Sequence, residues 1–352
     1  MNLRVDRDTD AGPWDRFVSS QPTGHFMQSY AWGAFQRELG WEPRYCKLED
    51  ESGIRAAALL LMRSVPGAGW RVFYAPRGPA VDFSDAALTA EFFGELRAFV
   101  KSEKGVFLRC DPYAPESSGS EGLATVTRVP RDWSYWNAPR FVFWLDLGGD
   151  EDAVMKRMNS SCRNEVRRAY KNGVQFSTGG EGDIADFHRL MGLMGNQKGI
   201  AFHGVEFYRR LFAVVRDSAD VGLFLGRFDD RAITAGMSVA YGRKAWLLYA
   251  ASDPAHYKLR GNRAQQWEMI KWAHAKGCER YDFRGTATDD PPNPKDPGYG
   301  VYEFKKSFGP EFTRLLGYYD VIGRPLVYSA LRAAEERVLP AAYRVRTWLQ
   351  RS

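Results

Sequence analysis

Apolar segments bounded by polar turns predict two similar groups of strands, one in each half of the chain. In each group, a strand, a polar turn, a second strand, another turn and an aromatic strand follow one another. In the first group the two strands after the polar turn 49–53 are predicted at residues 54–62 and 70–75, and in the second group the three strands are predicted at 221–228, 232–241 and 246–250. Trp70 and Trp246, in the two aromatic strands, lie 176 residues apart, which is half the chain length. The pattern therefore favours two similar domains of antiparallel hairpins that carry helices.

Amphipathic segments between these strands predict the helices. They span residues 29–39, 84–101, 152–172 and 261–276. Ser29 and Ser84 are the expected N-caps, and Gly173 is a typical residue to end the basic helix 152–172. Residues 285–300 are rich in Gly, Pro and Asp and predict a long loop, which is often functional in a compact chain.

The chain has 352 residues, which exceeds the usual size of one hydrophobic core and predicts two domains. Its longest aliphatic run, residues 56–62, is far shorter than the roughly 20 residues of a membrane-spanning helix. Acidic residues occupy the N-terminal positions where a signal peptide would be apolar. We therefore expect a cytoplasmic protein.

The cysteines and histidines give no metal-binding pattern. The four cysteines are widely scattered and the five histidines lack the close spacing of metal ligands, so no metal is expected. Cys162 lies in a basic stretch that could lower a thiol pKa and make it a nucleophile. A structural thiol is the more common explanation.

The net charge of +6 suggests a polyanionic partner without identifying one. The segment 156–171 holds six basic residues and one acid, Glu165. Such a run is either a contact surface for a polyanion or the solvated face of a helix.

Several motifs, taken in order, resemble the FemABX family of non-ribosomal peptidyltransferases. Among them are FMQSYAWG, YAPRGPAVD, RNEVRRA, WEMIKWA, GCERYDF and YEFKKSFG, which begin at residues 26, 74, 163, 267, 277 and 302. Each motif is weak alone, but their order and spacing extend over residues 26–325.

The resemblance implies an α+β fold of two tandem acetyltransferase-like (GNAT) domains, each a mostly antiparallel sheet flanked by helices. The expected domains are residues 1–145 and 146–321, with a C-terminal helix at 322–352 packing back on the first domain. No sustained heptad repeat is present, so we expect the compact form without a coiled-coil arm.

The resemblance also implies a reaction. An aminoacyl group would pass from aminoacyl-tRNA to the side-chain amine of the diamino acid in a peptidoglycan stem peptide, forming an interpeptide bridge. The implied partners are the aminoacyl-tRNA co-substrate and a UDP-linked or lipid-linked muropeptide, with peripheral contact at the inner membrane face and without DNA. Because the donor ester is already activated, no cofactor is expected.

Three residues are candidates for the chemistry. Lys305 matches the family lysine at the reacting centre, where an ammonium would stabilise the developing oxyanion, and Phe304 would shape the pocket. Asp82 could accept a proton or orient the amine. The alternatives are a surface lysine beside Lys306 and an ordinary capping aspartate.

Two positions are candidates for diphosphate binding. Gln36, with Arg37 beside it, stands where the family often has a phosphate-binding lysine, and this departure puts that contact in doubt. Lys198 lies where a second phosphate-binding cation is expected, although a solvated loop lysine fits equally well.

The remaining candidates contact substrate or RNA. Arg77 is held between two prolines and a glycine, which would fix the position of a cation. Tyr74 and Tyr249 end the equivalent aromatic strands, where core packing competes with substrate contact. Arg163 and Arg167, one helical turn apart, are the candidates for tRNA binding or belong to a solvated face.

Two further functions remain open. An acyl-CoA-dependent N-acyltransferase would share the fold, but Arg263 stands where a CoA-binding loop needs a small residue beside Gly261. A non-catalytic RNA- or envelope-binding protein rests on charge alone. The ordered motifs favour the aminoacyltransferase.

Overall fold

Two sheets of seven strands organise the chain in the computed structural model, which describes residues 1–65, 67–129, 139–198, 202–286, 292–296 and 298–333. The strands of these residues are β1 (Asn2–Asp6), β2 (Glu42–Asp50), β3 (Gly53–Val65), β4 (Trp70–Ala75), β5 (Gly105–Cys110), β6 (Thr127–Val129), β7 (Phe141–Asp146), β8 (Gln175–Gly179), β9 (Asp220–Phe228), β10 (Arg231–Tyr241), β11 (Lys244–Ser252), β12 (Arg280–Thr286), β13 (Glu311–Arg314) and β14 (Tyr318–Ile322).

The helices of the described residues are α1 (Ala11–Ser20), α2 (Tyr30–Glu38), α3 (Ala86–Ser102), α4 (Glu151–Arg157), α5 (Ser160–Lys171), α6 (Ile184–Lys198), α7 (Val205–Val215), α8 (Gly261–Ala275), α9 (Tyr299–Lys306) and α10, described over 325–333. Short 3-10 turns occur at Phe26–Gln28, Glu116–Ser118, Glu121–Leu123, Glu181–Asp183 and Pro254–Leu259. Among the described residues, no helix has both the length and the apolarity needed to cross a bilayer.

The two sheets repeat one topology. The first has the order β1-β2-β3-β4-β5-β14-β6 and the second β13-β7-β12-β11-β10-β9-β8. Only β4 with β5, and β11 with β12, run parallel among the paired strands described. In each sheet an antiparallel meander leads into one helix, α3 or α8, and then into the parallel strand. This arrangement confirms the predicted α+β class and agrees with the predicted duplication.

The chain divides into two compact units, Met1–Arg140 with the chain from Leu315 onward, and Phe141–Arg314. The division therefore lies at 140/141 and 314/315 rather than at the expected 145/146 and 321/322. Strand pairing explains the difference, because β7 pairs with β12 and β13, whereas β14 pairs with β5 and β6. Of the expected C-terminal helix, residues 334–352 lie outside the described residues. In the described part, Tyr328 packs edge-on against Phe107 of β5.

The expected single helix at 152–172 is wrong, because the chain forms two helices, α4 and α5. Met158 and Asn159 adopt extended conformations between them, and the Asn159 side chain accepts the backbone N–H of Cys162 at 2.8 Å. The N-cap of α3 is Asp85 rather than Ser84, since the Asp85 carboxylate accepts the N–H of Leu88. Ser29 caps α2 as predicted.

Each unit buries its own core. In the first unit a buried ion pair joins neighbouring strands, since Arg109 of β5 donates two hydrogen bonds to Asp320 of β14 at 2.8 and 2.9 Å. The Tyr328 hydroxyl donates to the same carboxylate at 2.8 Å. A buried carboxylate needs such partners, so this network fixes α10 to the first sheet.

Candidate active site

The parallel strands of the second sheet separate at their carboxyl ends. β11 and β12 pair only from Lys244 to Trp246, although β11 continues to Ser252. A bulge in β12 shifts its register against β7 between Asp282 and Gly285. By contrast, β4 and β5 of the first sheet pair up to the last residue of both strands. The second unit therefore opens its sheet at an edge where ligands commonly bind in sheets with parallel strands.

Lys305 lies beside this bulge. It is in α9, is 7% exposed, and donates to the backbone carbonyls of Gly285 at 2.6 Å and Arg284 at 3.3 Å. Burial lowers the pKa of Lys305 to about 8, against the opposing effect of the Asp282 carboxylate. A perturbed ionisable group at a strand opening is a strong candidate for function.

The bulge that receives Lys305 is itself fixed by polar contacts. Arg284 has a left-handed backbone conformation, with φ of 59°. The buried Asp282 carboxylate accepts the Arg284 backbone N–H and the Trp144 indole N–H, the latter at 3.1 Å. These contacts turn two consecutive carbonyls towards the ammonium.

Phe304 precedes Lys305 on α9, and Tyr249 lies on β11. Phe304 is half-buried and packs edge-on against Phe308, with ring centroids 5.4 Å apart. Tyr249 is half-buried and its ring packs against Tyr208 of α7, with a centroid distance of 5.2 Å. Burial raises the pKa of Tyr249, and the Arg284 guanidinium opposes that shift.

Sequence reasoning missed Arg284. Its carbonyl accepts from Lys305, and its Nη1 lies 3.5 Å from the Leu248 carbonyl, directly before Tyr249. Arg284 thus connects the surroundings of two predicted site residues. The one sequence signal was a charged residue that follows the aromatic Phe283 and precedes a glycine.

In the first unit, Arg77 is held in a tight turn after β4. Its φ is 56°, and Gly78 beside it has no room for a side chain, because a β-carbon would lie 2.5 Å from the Gln28 amide carbon. Gln28 in turn donates to the Pro76 carbonyl at 2.9 Å and accepts the Leu59 N–H at 2.8 Å. The predicted fixed cation is therefore present, and it is 6% exposed.

Arg77 faces a buried carboxylate that sequence reasoning also missed. Asp111 accepts the Arg77 backbone N–H at 2.9 Å, and its second oxygen lies 3.6 Å from the Arg77 Nε. Burial raises the pKa of Asp111 to about 6, against the opposing effects of Arg77 and of the Tyr74 hydroxyl. Tyr74, also buried, thus belongs to this cluster.

Asp82 lies outside that cluster. Its exposed carboxylate accepts hydrogen bonds from the Ser84 N–H at 2.9 Å and hydroxyl at 2.6 Å, and these bonds lower its pKa. This geometry is that of a turn cap, and a lowered pKa weakens a general base. The raised pKa of Asp111 suits a general base better than the lowered pKa of Asp82.

The candidates for diphosphate binding have fewer contacts that indicate a function. Gln36 is half-buried on α2, and its carbonyl accepts the N–H groups of Leu39 and Trp41. Arg37 is exposed and donates to the Arg7 carbonyl at 3.2 Å. Lys198 is the last residue of α6, and its side chain lies outside the described residues.

The two RNA candidates on α5 differ in setting. Arg163 is half-buried and donates to the backbone carbonyls of Met158 and Lys156 at the break between α4 and α5. Arg167 is exposed. Cys162, on the same helix, is fully buried, and burial raises its pKa, which excludes an activated thiol in this state.

The sequence model of the FemAB family matches residues 10–126, 129–232 and 225–336. The lipid II:glycine glycyltransferase of Staphylococcus haemolyticus is 19% identical, and the alignment covers 94% of this chain and 96% of that protein.

Two solved structures share the fold. A crystal structure of FemX superposes with a TM-score of 0.85 at 19% identity, covering 94% of this chain and 99% of that chain. A tandem GNAT protein from the clavulanic acid biosynthesis pathway gives a TM-score of 0.52 at 10% identity, covering 92% and 99%. The second comparison confirms that the predicted domains are acetyltransferase-like.

Proposed function

The chain belongs to the FemAB family, and from that premise we propose that it adds an amino acid to the stem peptide of a lipid-linked peptidoglycan precursor. Family membership makes it an aminoacyltransferase, as the sequence predicted. The acceptor is supported by relatives named for lipid II, which align over nearly the whole length of both chains. We propose the side-chain amine of a diamino acid as the nucleophile and aminoacyl-tRNA as the donor.

The setting of Lys305 carries the proposal. Attack of an amine on an ester creates an oxyanion, which a fixed cation away from water stabilises best. With a pKa of about 8, the Lys305 ammonium is about nine-tenths protonated at pH 7. Two of its three N–H groups donate to backbone carbonyls, which leaves one N–H that can donate to the reacting oxygen.

The start of α8 favours aminoacyl-tRNA over acyl-CoA. A CoA pyrophosphate would need free backbone N–H groups at this helix N-terminus. Here the N–H of Arg263 donates to the Asn262 side chain at 2.9 Å, and the Arg263 side chain pairs with Glu165. Gly261 packs tightly on β10, since a β-carbon would lie 2.9 Å from the Thr234 methyl. The glycine therefore serves helix–sheet packing.

A surface of exposed cations supports an RNA donor. We call Arg167, Arg168, Lys171 and Lys258 the basic surface. These four side chains form no ion pair or hydrogen bond with the residues that the structure describes, and all four are exposed. The Asn172 amide donates to the Leu259 carbonyl at 3.4 Å, which brings the end of α5 beside Lys258. Unpaired cations on one face favour phosphate contacts.

The donor is tested by a purified transfer reaction. The protein is incubated with a muropeptide acceptor and either charged tRNA or a panel of acyl-CoA thioesters, with and without ribonuclease. We expect transfer from charged tRNA alone, abolished by ribonuclease. Turnover with an acyl-CoA in the absence of RNA would overturn the proposed donor.

A further inference from the structure

Arg263, in α8, contacts two other helices of the second unit, α5 and α9. Its side chain extends from the first turn of α8, pairs with Glu165 of α5 and lies half-buried between the helices. Its Nε is 3.4 Å from the Ser307 hydroxyl, and its guanidinium carbon is 5.4 Å from the centre of the Phe304 ring. Ser307 ends α9, the helix that carries Lys305. One guanidinium thus connects the basic helix to the helix of the proposed catalytic lysine.

The end of α9 has further contacts with the break between α4 and α5. The backbone N–H of Asn159 donates to the Ser307 carbonyl at 3.0 Å. The Ser307 hydroxyl donates to the Phe304 carbonyl at 2.6 Å, which closes the last turn of the helix. Gly309 passes so close to the Arg157 carbonyl that a β-carbon would lie 2.1 Å from it. The position of α9 therefore depends on contacts at its carboxyl end.

We propose that Arg263 is a positioning residue for the transfer reaction: by joining Glu165 to Phe304 and Ser307, it fixes α9 so that the Lys305 ammonium stays on the bulge carbonyls. The proposal rests on the proposed function, which assigns Lys305 to the chemistry. Arg263 itself does not touch the reacting atoms. Because Lys305 depends on burial for its perturbed pKa, loosening α9 would admit water and restore ordinary basicity.

A purely structural ion pair would behave differently. An α5–α8 pair without influence on α9 would change thermal stability and leave Lys305 unaltered. The test is therefore the titration of Lys305 by NMR of ¹³Cε-labelled lysine, assigned with Lys305→Met, in the whole protein. In Arg263→Gln we expect the Lys305 pKa to rise towards the ordinary value of about 10.4.

Kinetics provide the second measurement. In Arg263→Gln we expect kcat to fall roughly 10- to 100-fold with unchanged KM for both substrates, since small misplacements of a reacting group have effects of that size. The pH above which kcat levels off should move with the Lys305 titration. Arg263→Lys keeps the pairing with Glu165 but loses the planar fork, so we expect a smaller change in both measurements.

Arg260→Gln is the matched control. Arg260 is exposed and lies 3.8 Å from the same Glu165 carboxylate. Among the described residues, it forms no hydrogen bond, ion pair or ring contact with α9. The Arg260→Gln substitution should leave kcat and the Lys305 titration unchanged. Ser307→Ala removes the hydroxyl that accepts from Arg263 and closes the last turn of α9, and it keeps the test valid if Arg263→Gln unfolds.

The outcomes separate the inference from the proposed function. An unchanged Lys305 titration in Arg263→Gln and Ser307→Ala would overturn the inference whatever the activity. A shifted titration without loss of kcat would also overturn it, because Arg263 would then position an ammonium that the reaction does not use. Near-normal turnover by Lys305→Met would instead overturn the catalytic assignment.

Discussion

Replacing Lys305 by Met removes the charge and keeps a side chain of similar length. The ammonium is buried and held by two backbone carbonyls. Loss of one preorganised electrostatic donor costs roughly 3–4 kcal/mol of barrier, or about 100- to 1000-fold in kcat. We therefore expect a loss of that size with little change in acceptor binding.

The pH profile gives the sharper test of the same substitution. The acceptor amine, with an ordinary pKa of about 10.4, reacts only when deprotonated, so the rate should first rise with pH. In the wild type it should level off above about pH 8, because Lys305 then loses its proton while the acceptor amine continues to lose its own. In Lys305→Met the slow residual rate should keep rising through that range.

The assay is steady-state transfer from charged tRNA between pH 6 and 9.5, with circular dichroism to verify the fold. Lys306→Met is the control, because Lys306 is exposed and neighbours Lys305 on the same helix. In α9 adjacent side chains point in different directions. An equal loss in both variants, or a rate that still levels off above about pH 8 in Lys305→Met, would refute the reasoning.

Three further predictions follow from other parts of the chain. Replacing Arg167, Arg168 and Lys171 of the basic surface by Gln should weaken tRNA binding and reduce its salt slope by roughly one unit per lost phosphate contact, whereas an unchanged slope in a binding titration would make α5 a solvated face. The pKa of Asp111 is raised to about 6 in the folded state, which therefore holds the proton more tightly than the unfolded state does. The free energy of unfolding should fall as pH rises from about 4 to about 6. Urea unfolding should show a smaller dependence on pH in Asp111→Asn, and an identical dependence in both proteins would contradict this prediction. Transfer should also be unaffected by a chelator such as EDTA, since the ester donor is already activated, and inhibition reversed by added metal would overturn that expectation.

The sequence predicted elements that rest on local pattern and failed where distant contacts decide. The strands β3, β4, β9, β10 and β11 follow apolar segments bounded by turn residues, and the predicted segments agree with them to within a few residues. The domain boundaries were displaced because β7 and β14 each join the sheet on the far side of the expected boundary. The break at Asn159 was missed because the flanking residues continue a helical pattern, and one capping side chain decides where α5 begins.

The candidate site likewise contains residues that local sequence pattern identified and residues that only distant contacts reveal. Motif matching identified Lys305 and Arg77, because charged residues beside Gly, Pro and aromatic residues can be recognised in a sequence. In the structure the pKa of Lys305 is lowered, and Arg77 lies beside Asp111, whose pKa is raised. Arg284 and Asp111 were missed, since their importance comes from a bulge and from burial, which are tertiary properties. Asp82 was a candidate for its place in a motif, yet its hydrogen bonds to Ser84 are those of a turn cap.

The most direct test of the central claim is the mass spectrum of the product. The protein is supplied with a pool of charged tRNAs and a lipid-linked precursor, and the muropeptide product is fragmented to locate the added mass. We predict an increase equal to one or more amino acid residues, carried by the side-chain amine of the diamino acid in the stem. A product without added mass, or an addition at any other position, would contradict the account.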